Sequence, residues 1–227
     1  MDPFMVQPFG LTEAGISAMR LSRWMGEHGA QLEARQAAVE ARNWRAAANP
    51  RSLLHASVQV PMPGPLLQTE GPRLADVVSA VIIGAPVSRA CLAGVGHGTD
   101  SPALGDRNWL ARPALSAAVS QALSEARWRL SDINLFEIDG MTLADEALAL
   151  EALGLAQAGQ GFEVYAGSAQ INPAGGSAAG WCYPAMGLVR FAECLFRLRA
   201  SGAGRGLAVG ASPIGAQTHT AAALELS

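Results

Sequence analysis

The stretch INPAGGSAAGWCYPAMG, Ile171 to Gly187, sets a thiol and a phenol, Cys182 and Tyr183, inside a glycine-rich segment. A cysteine thiolate is a nucleophile that holds acyl groups, and a phenol gives a proton to a developing alkoxide or enolate. Without an identifiable partner histidine, Cys182 also reads as a small apolar residue, and Tyr183 as a packing residue. Gly175 and Gly176 let backbone approach backbone or a ligand, and Asn172 adds an amide beside them. Asp139 ends the apolar run INLFEID. There it is a base, or it caps the amides of the next helix. His219, in GASPIGAQTH, is the histidine best placed to move a proton, with a hydrogen-bonded structural role as the alternative. His97, between glycines in GVGHGTDSP, reads as a surface turn, and Cys91 and Cys194 read as core.

These residues need elements to position them. TEAGISAMRLSRWMGEHGA and AQLEARQAAVEARNWRAAANP have helical spacing, the second stopped at Asn49–Pro50. Arg42 and Arg45 on that second helix read as solvated, or as contacts for a phosphate. Proline and glycine recur from Arg51 to Pro72, which predicts a connector. Beyond it strands alternate with helices. Asp76–Gly84 (DVVSAVIIG) reads as a strand buried on both faces. Ala114–Trp128 is a helix, Ile133–Asp139 a strand, Thr142–Leu155 a helix and Leu188–Ala200 a helix. Arg205–Ser212 and Thr220–Leu226 close the chain as strands. The alternation predicts an α/β fold with a mixed, largely buried sheet.

The 227 residues are half apolar and only 15% charged, which supports a sizeable core. A net charge of −3 implies no basic face and no nucleic-acid partner. All 16 basic residues are arginine, so lysine and Schiff-base catalysis are excluded. Three widely spaced cysteines without a C-x-x-C pair predict no zinc site and free thiols, as in a cytoplasmic protein. The opening MDPFMVQPFG does not read as a signal peptide, and no apolar run reaches the roughly 18 residues of a membrane span.

Four blocks, in order, resemble the C-terminal half of the thiolase superfamily. LADVVSAVIIG is similar to the family's Asp-Gly-Ala-Ala-Ala strand. INLFEIDGMTLADEALALEALGL is similar to its strand, Asn-Glu-Ala-Phe or His-Asp-Cys-Phe, and helix. INPAGGSAAGWCYPAMGLVR resembles the Asn-x-x-Gly-Gly loop that leads to Gly-His-Pro. GRGLAVGASPIGAQTHTAAALEL resembles the final strand, glycine turn and strand. The two N-terminal helices are similar to the loop region of the sterol-carrier or lipid-transfer branch. The resemblance implies a thiolase-like layered α/β sandwich, second half only. Residues 1–60 would be a helical loop-region segment and 61–227 the C-terminal α/β domain.

It also implies a subunit of acyl-CoA metabolism. The reaction would be acyl transfer, or thiolytic or retro-aldol carbon–carbon cleavage next to a thioester, as in steroid side-chain degradation. A coenzyme A thioester is the expected substrate, with no permanently bound cofactor. Tyr183, Cys182, Asp139 and His219 are the candidate catalytic residues, and Asn172, Gly175, Gly176 and Ser212 the candidate ligand-binding ones. The chain departs from the family pattern. Counting from Gly175–Gly176 puts Cys182 on the family's histidine, whereas anchoring on Pro184 puts Tyr183 there. Asp139 stands where Asn or His is expected, and Ala211 or Ser212 where the second catalytic cysteine falls. The acyl-accepting cysteine belongs to the family's other half. A half-sandwich predicts an uncovered sheet face or edge and hence a partner: an N-terminal thiolase half, another thiolase-like chain or a second copy. The alternative is a non-catalytic scaffold, or a lipid- or acyl-CoA-binding subunit with a degenerate site.

Overall fold

The computed structural model describes residues 10–55, 58–84, 90–202 and 204–226. Two helices lead, α1 (Glu13–His28) and α2 (Leu32–Ala47). Thr12 caps α1 by accepting the Gly15 amide at 3.1 Å. A short ladder follows, β1 (Val58–Gln59) with β2 (Arg73–Leu74). The main body runs β3 (Ala90–Thr99), α3 (Pro113–Ala126), β4 (Leu135–Ile138), α4 (Leu143–Ala152), α5 (Gly161–Gly167), α6 (Met186–Ser201), β5 (Arg205–Ala211), α7 (Pro213–Ala216) and β6 (Thr218–Leu226).

The main sheet has the order β3-β6-β5-β4. Strands β4 and β5 are parallel, and β6 runs antiparallel to both β5 and β3. Successive residues of a strand serve opposite faces. Phe136, Ile138, Leu207, Val209, Ala221 and Ala223 join the core built with α3 and α4. Leu135, Ala208 and Leu224 join Cys194 and Leu198 of α6 in a second core. The chain's own helices therefore cover both faces of the β4-β5-β6 portion, while the outer side of β3 at Val95, His97 and Thr99 stays exposed. Leu21, Trp24, Ala38 and Val39 of α1 and α2 belong to the first core, so the leading helices share it with the α/β body.

Helix α3 lies in backbone contact with β3. Gly94, Gly96 and Gly98 meet Ala122, Ala118 and Ala114, and a Cβ on Gly96 would stand 1.8 Å from the Ala118 carbonyl oxygen. GVGHG is thus a strand selected for close approach. His97 lies on the other, exposed side of it, and Cys91, beyond the irregularity between Leu92 and Gly94, is exposed as well, which corrects the surface-turn and core readings.

Asp76–Gly84 forms no ladder and is not buried. Val78 is 98% exposed, Ile82 99% and Ile83 72%. Its composition favours a strand, but no neighbour among the described residues supplies the pairing.

Candidate active site

Asp139 follows β4, and Ala211 and Ser212 end β5, so both sit at the carboxyl ends of a parallel pair. That is where open α/β sheets place ligands. A cleft opens there, lined by Asp139, Gly140, Met141, Trp181, Tyr183, Ala211 and Ser212 from the body and by Glu13, Ser17 and Arg20 from α1. Its inner space is ≈ 30 Å³, room for a water or for the reacting end of a larger molecule.

Asp139 is buried. One carboxylate oxygen accepts the Ala211 amide at 3.2 Å, and the other has no hydrogen-bond partner. Burial pushes its pKa up to about 6, against the pull of the nearby Arg190 guanidinium and the Ala211 amide. The indole of Trp181 also favours the ionised form, from outside hydrogen-bonding geometry. Asp139 does not cap α4. Thr142 does, accepting the Asp145 amide while the Asp145 carboxylate accepts the Thr142 amide, each at 3.2 Å. Asp139 is therefore left free for the cleft.

Tyr183 reaches the same cleft with its ring 40% exposed, edge-on to Trp181 at 5.3 Å between centroids. Ser212 lines the cleft too, and its hydroxyl accepts the Thr218 amide at 2.9 Å. The structure thus brings Asp139, Tyr183 and Ser212 together.

It does not bring the others there. Cys182 is half-buried and does not line the cleft. His219 lies buried on β6 beside a neighbouring cavity with Arg107 and Arg112. Burial, and then the cationic Arg112 and Arg20, hold its pKa well below the ordinary value, so the imidazole is neutral. The expectation of His219 as the cleft's proton carrier is corrected by this placement.

Asn172, Gly175 and Gly176 are turned inward, which corrects their assignment to a ligand. Asn172 is fully buried, accepting the Ile138 amide at 2.6 Å and donating to the Ile138 carbonyl at 3.0 Å. Around them Glu146 acts as a hub. It accepts from Tyr165 at 2.5 Å, from Asn172 at 3.0 Å and from the Ser177 amide at 2.7 Å. A Cβ on Gly176 would lie 2.3 Å from the Glu146 carboxylate, and Gly175, at φ +97°, packs on Ala46. The glycines serve the fold.

Several functional supports escaped sequence reasoning. Asp145 is buried between Arg20, Ser17 and Thr142, which hold its pKa below the ordinary value despite the burial. Arg20 and Arg107 both donate to the Gly215 carbonyl, and Glu13 accepts the Gly215 amide. The turn after Ser212 is thereby clamped to α1. Arg112, buried beside Arg20, has its pKa lowered to about 9, chiefly by desolvation. Arg42 and Arg45 are also buried. Arg42 donates to the Thr69, Glu70 and Gly71 carbonyls, and Arg45 to those of Tyr165, Ala166 and Ser168. The one available signal was a pair of acids inside an apolar helix, Asp145–Glu146, because buried carboxylates require partners.

Among the described residues no group of three or more His, Cys, Asp or Glu is placed to hold a metal. No helix among them is long and apolar enough to cross a membrane.

Residues 96–208 match the family described as thiolase C-terminal domain-like. Among solved structures, one described as the Ltp2-ChsH2(DUF35) aldolase is similar, with a TM-score of 0.76 and 18% sequence identity. The match covers 97% of this chain and 65% of that one, so this chain spans less than two thirds of that structure's length. No curated protein sequence matches this chain.

Proposed function

We propose, for a chain whose residues 96–208 form a thiolase C-terminal-like domain, that the cleft cleaves a carbon–carbon bond beside a thioester by a retro-aldol step. The observation that carries this reading is Asp139, a buried carboxylate with one unpartnered oxygen and a pKa raised to about 6, in the same cleft as the Tyr183 phenol. A general base is most effective when its pKa lies near the working pH.

The expected substrate is a β-hydroxyacyl thioester, such as one of coenzyme A. Asp139 takes the hydroxyl proton, and the oxygen becomes a carbonyl. The bond between the α and β carbons breaks, and its electron pair passes to the thioester enolate. Tyr183 protonates the α carbon, and the proton on Asp139 returns to the phenolate through solvent. The products are an aldehyde or ketone and a shortened acyl thioester. Thiolytic acyl transfer fits less well, because no cysteine lines the cleft. Cys91 is exposed on β3, Cys182 lies outside the cleft, and Cys194 is buried on the inner face of α6 with its thiol pKa pushed well up.

The small inner space fits a site whose remaining wall comes from a partner chain. The aldolase neighbour, whose name pairs two proteins, supports a comparable assembly. The same small space also favours a second reading, a binding or scaffold subunit without chemistry. Turnover of a β-hydroxyacyl-CoA by the chain with its co-purifying partner separates the two. Asp139→Asn is expected to lower kcat by roughly 10²–10⁴-fold and Tyr183→Phe by roughly 10²-fold. Thioester binding without turnover would establish the scaffold reading.

A further inference from the structure

The segment Asp76–Gly84 has the composition of a buried strand and the environment of an exposed one. Val77, Val78, Val81, Ile82 and Ile83 are β-branched, the residues that pack on pleated surfaces. The backbone forms no ladder, and none of its amides or carbonyls pairs with a described residue. Val77, Ser79 and Val81 are half-buried, and residues 76–79 run along a groove that Val189 and Phe196 also line, while the side chains of Val78, Ala80, Ile82 and Ile83 are exposed. An apolar run this exposed marks an interaction site. Apolar residues at both odd and even positions suit a strand covered on both faces, as in a sheet with helices on either side.

Among the described residues, neither edge of the main sheet is open to this strand. On β3, the Val95 amide donates to Glu125 at 2.7 Å and the His97 amide to Gln121 at 3.0 Å, so side chains of α3 occupy that edge. On β4, the Phe136 amide donates to Gln170 at 2.9 Å, and Asn172 donates to the Phe136 carbonyl at 2.8 Å. Asn172 closes the rest of that edge through Ile138. A second copy would present the same two occupied edges, and pairing with its Asp76–Gly84 would give only a two-stranded ribbon whose apolar faces stay uncovered.

We propose that Asp76–Gly84 is a strand donated to a different chain, where it pairs with the open edge of an α/β sheet covered by helices on both faces. The attachment point gives the docking a consequence for the cleft. Ala75 donates to the Trp181 carbonyl at 3.1 Å, and Trp181 donates to the Arg73 carbonyl at 2.7 Å. Trp181 lines the cleft beside Asp139. A sheet that takes the strand is held within a few residues of that wall, where it can supply the missing side of the site. The inference rests on the proposed function for its need of a partner, and its test is read without activity.

The chain is purified from its native host with whatever it holds, and hydrogen exchange is followed in that assembly and in the isolated chain. A heteromeric complex is expected in which amides 77–83 exchange ~100-fold or more slowly than in the isolated chain. Val78→Asp and Ile82→Asp are expected to weaken that complex at least ~10-fold and leave the isolated chain's melting temperature unchanged, since both side chains are almost fully exposed. A lone monomer, a homo-oligomer, or a heteromer in which amides 77–83 stay unprotected would overturn the proposal. A protected heteromer without turnover would leave the donated strand standing and overturn the catalytic reading. Turnover without protection would do the reverse.

Discussion

Asp139 carries a cost that is visible at the level of one carboxyl group. Its ordinary pKa of 3.8 is raised to about 6 by burial. Between those values the folded chain binds the proton more tightly than the unfolded chain does. Stability from this group therefore falls as pH rises from about 4 to about 6, and the full deficit persists above that window. Asp139→Asn removes the charge and is expected to stabilise the chain at pH ~7.5 by on the order of 1–3 kcal/mol. At pH ~3.5 the effect should be much smaller, because both states are then mostly protonated. Urea denaturation at the two pH values checks this, and equal effects at both would contradict the raised pKa. Asp139, at the end of a strand, and Tyr183, in the glycine-rich segment, are both proton-handling types by sequence, and both line the cleft. Cys182 and His219 looked equally good there, and only packing separates them from the cleft. Residue type carries chemistry, but the direction of a side chain depends on the tertiary neighbours.

At the scale of elements, the strand–helix contact of β3 and α3 depends on three glycines and three alanines. Gly96→Ala would drive a methyl into the Ala118 carbonyl. The substitution is expected to destabilise the fold by about 3 kcal/mol or more, with a lowered urea midpoint and an unchanged slope. Thr142→Ala removes the N-cap of α4 and one partner of Asp145, and should cost about 1–2 kcal/mol by the same measurement. Helices α1, α2, α3, α4 and α6 and strands β4, β5 and β6 were legible, because apolar periodicity and capping residues are local signals. Strand β3 was hidden. Its glycines read as turn punctuation, although they serve close approach to α3. Asp76–Gly84 erred the other way, since β-branched composition predicts pairing without supplying a partner. The short helix α5 left no periodic pattern long enough to read.

At the scale of the molecule, the leading helices hold the cleft in place. Arg20 reaches Asp145, Arg35 pairs with Glu70 in a fully buried bridge at 2.7 Å, and Arg45 fastens the end of α5. Breaking a buried pair costs about 3–5 kcal/mol, so losing two such pairs at once would exceed the stability of many domains. A chain trimmed to begin at residue 51 is therefore expected to lose its cooperative thermal transition and near-ultraviolet circular dichroism. Retention of both would show that the α/β body folds without α1 and α2. The sequence represented Arg42 and Arg45 only as helix residues with a choice between solvent and phosphate. Their carbonyl partners lie up to 126 positions away, as for Arg45 and Ile171, and no local pattern announces such pairs.

The most direct measurement of the central claim is the rate of β-hydroxyacyl-CoA cleavage by the native assembly between about pH 4.5 and 8.5, for the natural chain and Asp139→Asn. The account predicts that kcat/KM rises with pH through an inflection near 6, as the base ionises. It also predicts that Asp139→Asn lowers the plateau by roughly 10²–10⁴-fold and abolishes the inflection. A variant that keeps both the rate and the pH profile would contradict the role of Asp139 as the base and the retro-aldol reading built on it.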